Sequence, residues 1–289
     1  MKNKLVLGTV QMGLPYGVNN SIGKISFENS CQILAQAFDL GISTLDTAEA
    51  YGNAHRVIGE FHKANPKVKF DIITKIPHEI SDLKIEERIE AYCQELHVDY
   101  LEVLLFHSFD SYQNNQHLLL ALNKIKSQGL INNIGVSVYT NTQIESLLDD
   151  DLVSVVQMPF NLLDNESIRG DLMQKLKDKG KKIHTRSAFL QGLLFTDTYS
   201  NNAIAQQLSQ QLLEIRKLAN EENISIASLA LGYCVAQKNI DQVLIGVDSI
   251  EHLIDNVKAA DFQIRKDVTE NINAIRVENV DLLNPSLWN

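Results

Sequence analysis

The sequence predicts a single α/β domain, a (β/α)8 TIM barrel occupying residues 1–289. Three observations carry that prediction. Eight short, near-continuous apolar runs alternate with amphipathic helix patterns, as a parallel sheet covered by crossover helices requires. No low-complexity linker divides the chain into two halves. No G-x-G-x-x-G follows the first apolar run, which weakens the competing doubly wound sheet.

Taken in order, residues 5–10 read as the first strand and run into a glycine-bearing loop, 13–24. Ser26 is an N-cap candidate for a helix whose Ile33, Leu34, Ala37, Phe38 and Leu40 fall at helical spacing. Gly41 can take the left-handed cap before the second strand, 42–46. Helix patterns near 53–63 and 81–96 flank the third strand, 70–75, and the fourth is 101–107. A helix near 115–128 stops at Gly129 before the fifth strand, 130–138. Another near 142–149 precedes the sixth, 153–157, and one near 167–179 stops at Gly180 before the seventh, 181–185. A helix near 204–222 comes before the eighth strand, 242–246, and a last one covers 250–260, leaving 262–289 as a C-terminal tail.

With 44% hydrophobic and 21% charged residues the chain can bury a large core. A net charge of -10, and no basic run longer than Arg265-Lys266, argue against nucleic acid as a partner. Cys31, Cys93 and Cys234 are odd in number and far apart, so they support neither a disulfide framework nor a zinc site, and no metal is expected. No apolar run approaches roughly 18 residues and the first is too short for a signal segment. The expectation is a soluble cytoplasmic protein with no membrane partner; oligomeric state is left open.

Chemistry in such a barrel sits where the strands end. Those ends carry Asp46, Lys75, His107, Ser137, Gln157, Arg186 and Gly246, and Tyr51 lies five residues beyond Asp46. Each alone has a plain structural reading: a capping Asp, a solvated Lys, a core His, a packing Tyr. Together they form a set. A phenol has a pKa of about 10, which a neighbouring ammonium lowers, so Tyr51 beside Lys75 becomes a workable acid. Asp46 would hold Lys75 charged, and His107 would orient a substrate oxygen. That is equipment for protonating a carbonyl oxygen as hydride reaches its carbon. A Schiff-base role for Lys75 would need a depressed pKa, which a close Asp46 opposes.

At these residues the chain resembles the aldo/keto reductases. Leu7-Gly8-Thr9, the run DTAEAYG from Asp46 to Gly52, Thr74-Lys75, Phe106-His107-Ser108 and Gly135-Val136-Ser137 occur in the family's order. Val156-Gln157-Met158-Pro159-Phe160-Asn161, Gln191-Gly192-Leu193-Leu194 and Asp255-Asn256 continue it over nearly the whole chain. The resemblance implies Tyr51 as general acid, Lys75 and Asp46 as its tuning pair, and His107 as orienter of a small carbonyl substrate. It also implies a nicotinamide cofactor whose amide is held by Ser137 and Gln157. Gly8, Thr9, Val10 and Asp46 would add contacts, and Ser187, Phe189, Gln191, Gly192 and Leu193 would wrap the diphosphate. Gly246, Asp248, His252 and Asn256 would meet the adenosine end.

The chain departs from the family pattern at four points. Val138 stands where an asparagine is common, and Arg186 where a tyrosine usually stacks on the nicotinamide ring, a contact the planar guanidinium is expected to make toward the cofactor instead. Asp248 lies where a Lys or Arg often meets the 2′-phosphate, and His252 is the only nearby base. Family precedent puts NADP first, with NAD its direct competitor, because an acid there repels phosphate and can bind a ribose hydroxyl. The fourth departure is a start directly at the first strand, so the barrel floor is expected to be open or covered by 267–277. The loops 13–24, 108–116 and 195–202 are rich in Asn, Ser and Tyr, which points to a polar, sugar-like carbonyl substrate. The first loop with Arg186-Ser187-Ala188-Phe189-Leu190-Gln191 is also similar to aldo/keto reductase-like proteins associated with bacterial surface sugars. A low-turnover cofactor-sensing or interaction protein on the same fold is the alternative.

Overall fold

Eight parallel strands, joined edge to edge in chain order, close into one barrel in the computed structural model, which describes residues 4–17, 23–78, 84–196 and 201–288. They are β1 (Leu5–Gly8), β2 (Thr44–Asp46), β3 (Asp71–Ile76), β4 (Leu101–Phe106), β5 (Ile131–Ser137), β6 (Val155–Pro159), β7 (Lys182–Arg186) and β8 (Gln242–Ile245). Closure sets Leu5 opposite Val243 and Leu7 opposite Ile245.

The period of two along each strand decides what the barrel holds and what it presents. Val6, Ile73, Val103, Leu105 and Val155, with Leu244 packed against them, fill the interior. Their neighbours Leu5, Leu7, Ile72, Leu104, Phe106, Val156, Ile183 and Val243 join the larger core under the helices. One step of two from the inner plug brings Gly8, Lys75, His107, Gln157 and Gly246 above it, on the same inward face. Pattern alone therefore carries the polar residues to the mouth. Gly135 sits between Leu105 and Val155: a Cβ there would lie 2.6 Å from Leu105 Cδ2 and 2.4 Å from Val155 O, so a side chain would push the plug apart.

Thirteen α-helices are present among the described residues: α1 (Val10–Gly13), α2 (Phe27–Asp39), α3 (Ala54–Ala64), α4 (Ile85–Leu96), α5 (Phe109–Asn114), α6 (Leu119–Ser127), α7 (Asn141–Glu145), α8 (Glu166–Asp178), α9 (Ala203–Gln207), α10 (Ser209–Glu221), α11 (Ile226–Ala236), α12 (Ile250–Ala260) and α13 (Lys266–Ala274). Ser26 caps α2 as expected, its Oγ accepting from Asn29 N. Gly41, Gly129 and Gly180 all have positive φ where the sequence places helix stops. Several helices differ from the sequence reading. The expected 115–128 helix becomes a 3-10 turn and α6, α5 precedes it without a counterpart in the sequence reading, and 204–222 divides into α9 and α10. α11 has no counterpart in that reading, because its residues are apolar nearly all round and show no stripe. Residues 81–83, parts of the loops 13–24 and 195–202, and Asn289 lie outside the described residues.

The tail does not lie under the barrel. Asn165, at the start of α8 just beyond β6, donates from Nδ2 to Ile272 O at 3.0 Å and Ile275 O at 3.2 Å. Tyr233 OH donates to Asn273 Oδ1 at 2.5 Å. These bonds tie α13 beside the rim where the strands end, the opposite side from the floor that 267–277 was expected to cover. Among the described residues no helix is long and apolar enough to cross a membrane.

Candidate active site

The strand ends enclose a cavity of about 650 Å³. Its base is a buried ion pair. Lys75 Nζ lies 2.5 Å from Asp46 Oδ1 and also donates to Thr47 O at 2.9 Å, and both side chains are almost wholly excluded from solvent. Asp46 Oδ2 accepts from Gln157 Nε2 at 2.9 Å, and Asp46 O accepts from Thr9 Oγ1 at 3.0 Å. A buried pair keeps both charges only when their remaining bonding capacity is met, and here it is. Burial works to lower the Lys75 pKa, but Asp46 and Tyr51 outweigh it and the net shift is upward. That direction disfavours an amine nucleophile.

Tyr51 and His107 complete the wall. Lys75 Nζ is 5.0 Å from the Tyr51 ring centre, and the Tyr51 and His107 rings meet edge to face at 5.8 Å. Burial raises the Tyr51 pKa, against the lowering by Lys75, with Asp46 adding to the rise. The sequence reading had the opposite sign, because it counted the ammonium and not the desolvation. Burial, with Lys75, His78 and Arg186, lowers the His107 pKa to about 4, so its imidazole is neutral at physiological pH. Among the described residues His107 Nδ1 has no hydrogen-bond partner, and the ring stacks on His78 at 5.7 Å.

The loop holding Tyr51 is pinned from two sides. A Cβ on Gly13 would stand 1.7 Å from Tyr51 O, so only glycine lets α1 press against it. Behind it, Arg88 Nη1 on α4 donates to Glu49 Oε1 at 2.7 Å and Oε2 at 2.6 Å, and Tyr92 OH donates to the same carboxylate.

Nearly all the other expected site residues line this same cavity. Gly8, Thr9, Val10, Ser137 and Gln157 do so from the strand ends. Arg186, Ser187, Phe189, Gln191 and Gly192 line it from the end of β7 onward, and Gly246, Asp248, His252 and Asn256 from the end of β8 onward. Leu193 is the exception: its side chain is wholly buried in the core and is not part of the lining. Arg186 does not present the free guanidinium expected for ring stacking. It lies over the Tyr139 ring at 3.9 Å and donates from Nη2 to Val138 O at 3.0 Å.

Gln11, Tyr139 and Asp255, not named as site residues from the sequence, also line the cavity, and Tyr16 and Phe195 line it from the loops 13–24 and 195–202 that were named only as loops. Gln191 Nε2 donates to Tyr16 OH at 2.8 Å, joining the first loop to the loop after β7. Gln11 was legible in principle from its place just after β1.

The lining fits a nicotinamide nucleotide. Gln157 Oε1 and Gln11 Oε1 are buried without partners among the described residues, so a carboxamide or hydroxyl donor would satisfy them. Ser187, Leu190, Gln191 and Gly192 have φ of 61, 48, 54 and 92°, a left-handed run of the kind that shapes backbone into anion-binding concavities. Among the described residues no group of three or more His, Cys, Asp and Glu has the arrangement of a metal site.

The Aldo/keto reductase family model matches residues 4–277. L-galactose dehydrogenase of Arabidopsis thaliana is 26% identical over 256 residues, covering 82% of this chain and 79% of its own. A putative voltage-gated potassium channel subunit beta of Schizosaccharomyces pombe is 25% identical, with 87% of this chain and 86% of that one covered. A solved holo aldo-keto reductase from Bacillus halodurans superposes with a TM-score of 0.77 at 20% identity, over 96% of this chain and 94% of that one.

Proposed function

The chain belongs to the aldo/keto reductase family, and from that premise we propose that it interconverts a small, polar, sugar-like carbonyl compound and its alcohol. The family's nicotinamide cofactor, when bound, supplies hydride to the carbonyl carbon. In the direction of reduction Tyr51 delivers the proton to the carbonyl oxygen, and its raised pKa keeps that proton in place until it is needed. Lys75 stabilises the phenolate left behind, and Asp46 keeps Lys75 charged and in position. The neutral His107 hydrogen-bonds the reacting oxygen. One observation carries the reading: a buried Asp46–Lys75 pair, Tyr51 and His107 converge on one cavity wall.

Ser137 and Gln157 would hold the carboxamide, and the 187–192 loop the diphosphate. The end formed by Gly246, Asp248, His252, Asp255 and Asn256 has two carboxylates and neither Lys nor Arg. A 2′-phosphate would face those carboxylates, whereas a ribose hydroxyl could donate to them, so NAD takes precedence over the NADP that family precedent favours. For the substrate, the Tyr16 and Tyr139 rings and the His107 and Arg186 donors suit a polyhydroxylated compound. The L-galactose dehydrogenase relative, by its name, acts on a sugar. The channel-subunit relative keeps a second reading, a cofactor-binding interaction protein with little turnover.

The test is a fluorescence titration with NADH and NADPH, then a screen of aldehydes and keto sugars with Tyr51→Phe as control. We expect nucleotide binding in both proteins and a loss of roughly 10²- to 10⁴-fold in kcat for Tyr51→Phe. Binding of neither nucleotide would sink the reductase reading. An unchanged rate in Tyr51→Phe would remove the tyrosine from proton transfer, and binding without turnover would favour the second reading.

A further inference from the structure

Among the described residues two basic side chains of the Lys and Arg type line the cavity, Lys75 and Arg186. They differ in one respect. Lys75 is neutralised by Asp46, while Arg186 has no carboxylate within ion-pair distance among the described residues. Asp164, a carboxylate that feels its charge, is closed off by two hydrogen bonds from Arg169, at 2.6 and 2.7 Å. Arg186 is held by a ring face and a carbonyl oxygen, contacts that fix a guanidinium without cancelling its charge.

We propose that Arg186 anchors an anionic substituent of the substrate, so that the site takes carbonyl compounds bearing a carboxylate, such as sugar acids and semialdehyde acids. This rests on the reductase reading of the same cavity. A half-buried cation in a cavity with no carboxylate beside it favours an anion, and two sources exist: the substrate and the cofactor diphosphate. Direction separates them. From the end of β7 the side chain passes over β6 to Val138 and Tyr139, just beyond β5, and β5 pairs with the β4 strand that leads to His107. It is turned away from β8 and the Asp248 end, and its one contact with the 187–192 loop, Nη1 to Ser187 Oγ, is 3.5 Å. The charge is felt at Tyr51 and His107, on the proton-delivery side, and also at Tyr16 of the first loop. An acid group held there would leave the carbonyl of the same molecule free to meet Tyr51.

The experiment compares D-glucuronate with D-glucose, and succinate semialdehyde with butanal, in wild type, Arg186→Gln and Arg186→Lys, with NADH affinity measured by fluorescence in each. Wild type should prefer the acid of each pair by roughly tenfold to a hundredfold in kcat/KM, the range of a charge-assisted contact. Arg186→Gln should bring that ratio close to one, and Arg186→Lys should restore part of it. Inhibition by D-glucarate, which has no carbonyl to reduce, should weaken in parallel. Equal use of acid and neutral compounds by wild type would overturn the proposal. So would an Arg186→Gln variant that loses NADH affinity by the same factor for which the acid preference falls, since the arginine would then belong to the diphosphate. Failure of wild type to bind NADH or NADPH would be a separate result, striking the reductase reading itself.

Discussion

Asp248 lines the cavity end where the lining is acidic, and its replacement isolates one charge. Asp248→Arg exchanges a repulsive carboxylate for a guanidinium that can grip phosphate, so the ratio of kcat/KM for NADPH over NADH should rise by roughly tenfold or more. Steady-state rates with both nucleotides check it, and an unchanged ratio would remove Asp248 from the cofactor end. At this scale the sequence showed which side chains meet. Asp46, Lys75 and His107 end apolar strands, and a period of two carries them to one mouth. What it could not show is the balance of forces on them. The sign of the Tyr51 shift depends on how much water the finished cavity removes, and that is a property of every wall at once. Tyr139 and Tyr16 were illegible for a different reason. Each stands on a loop, where no periodicity points a side chain, and their roles rest on partners distant in sequence, Arg186 and Gln191.

Among elements, α4 does more than cover β3 and β4. Through Arg88 and Tyr92 it grips Glu49, two residues before Tyr51, so a surface helix sets where the phenol stands. Arg88→Ala should lower kcat by roughly tenfold through a misplaced proton donor, while NADH affinity holds, because a small displacement from the reactive geometry is costly. Arg88→Lys should recover part of the rate. The pair is about one-third exposed, so its contribution to stability is below about 1 kcal/mol, and a melt should barely move. Steady-state kinetics beside calorimetry separates placement from unfolding. Elements with a one-sided stripe, such as α2 and α12, were legible in the sequence, and α11 was not. Wrapped by α10, α12 and β8, α11 buries most of its surface and has no polar face to set a period. The position of α13 was also hidden, since it is fixed by Asn165 and Tyr233, more than thirty residues away.

For the whole molecule, acid should be the destabilising direction near neutrality. His55, bonded at Nε2 to Thr74 Oγ1, and His184, inside the barrel, are both lowered by burial from the usual 6.5 to about 4. Between those values the unfolded chain binds protons that the folded protein refuses. Stability is therefore complete above about pH 6.5 and is lost as pH falls toward 4, by up to roughly 3 kcal/mol for each imidazole. Thermal melts from pH 7.5 to 4.5 should show a falling Tm, and a flat profile would contradict the burial of these rings. The barrel itself was the most legible feature, because eight strand-and-helix units without a break leave few other ways to cover a parallel sheet. Its closure also has an effect on binding that no single unit explains. One Asp46 oxygen faces Lys75 and the other faces Gln157, so the carboxylate links the proton-delivering side of the cavity to the side proposed for the nicotinamide. A ligand that draws the Gln157 amide toward itself alters the hold on Asp46, and through it the proton affinity of Lys75 and Tyr51. A nucleotide held as proposed would then have its affinity linked to protonation only in the alkaline range where these raised pKa values fall, and there its arrival would exchange protons with the buffer.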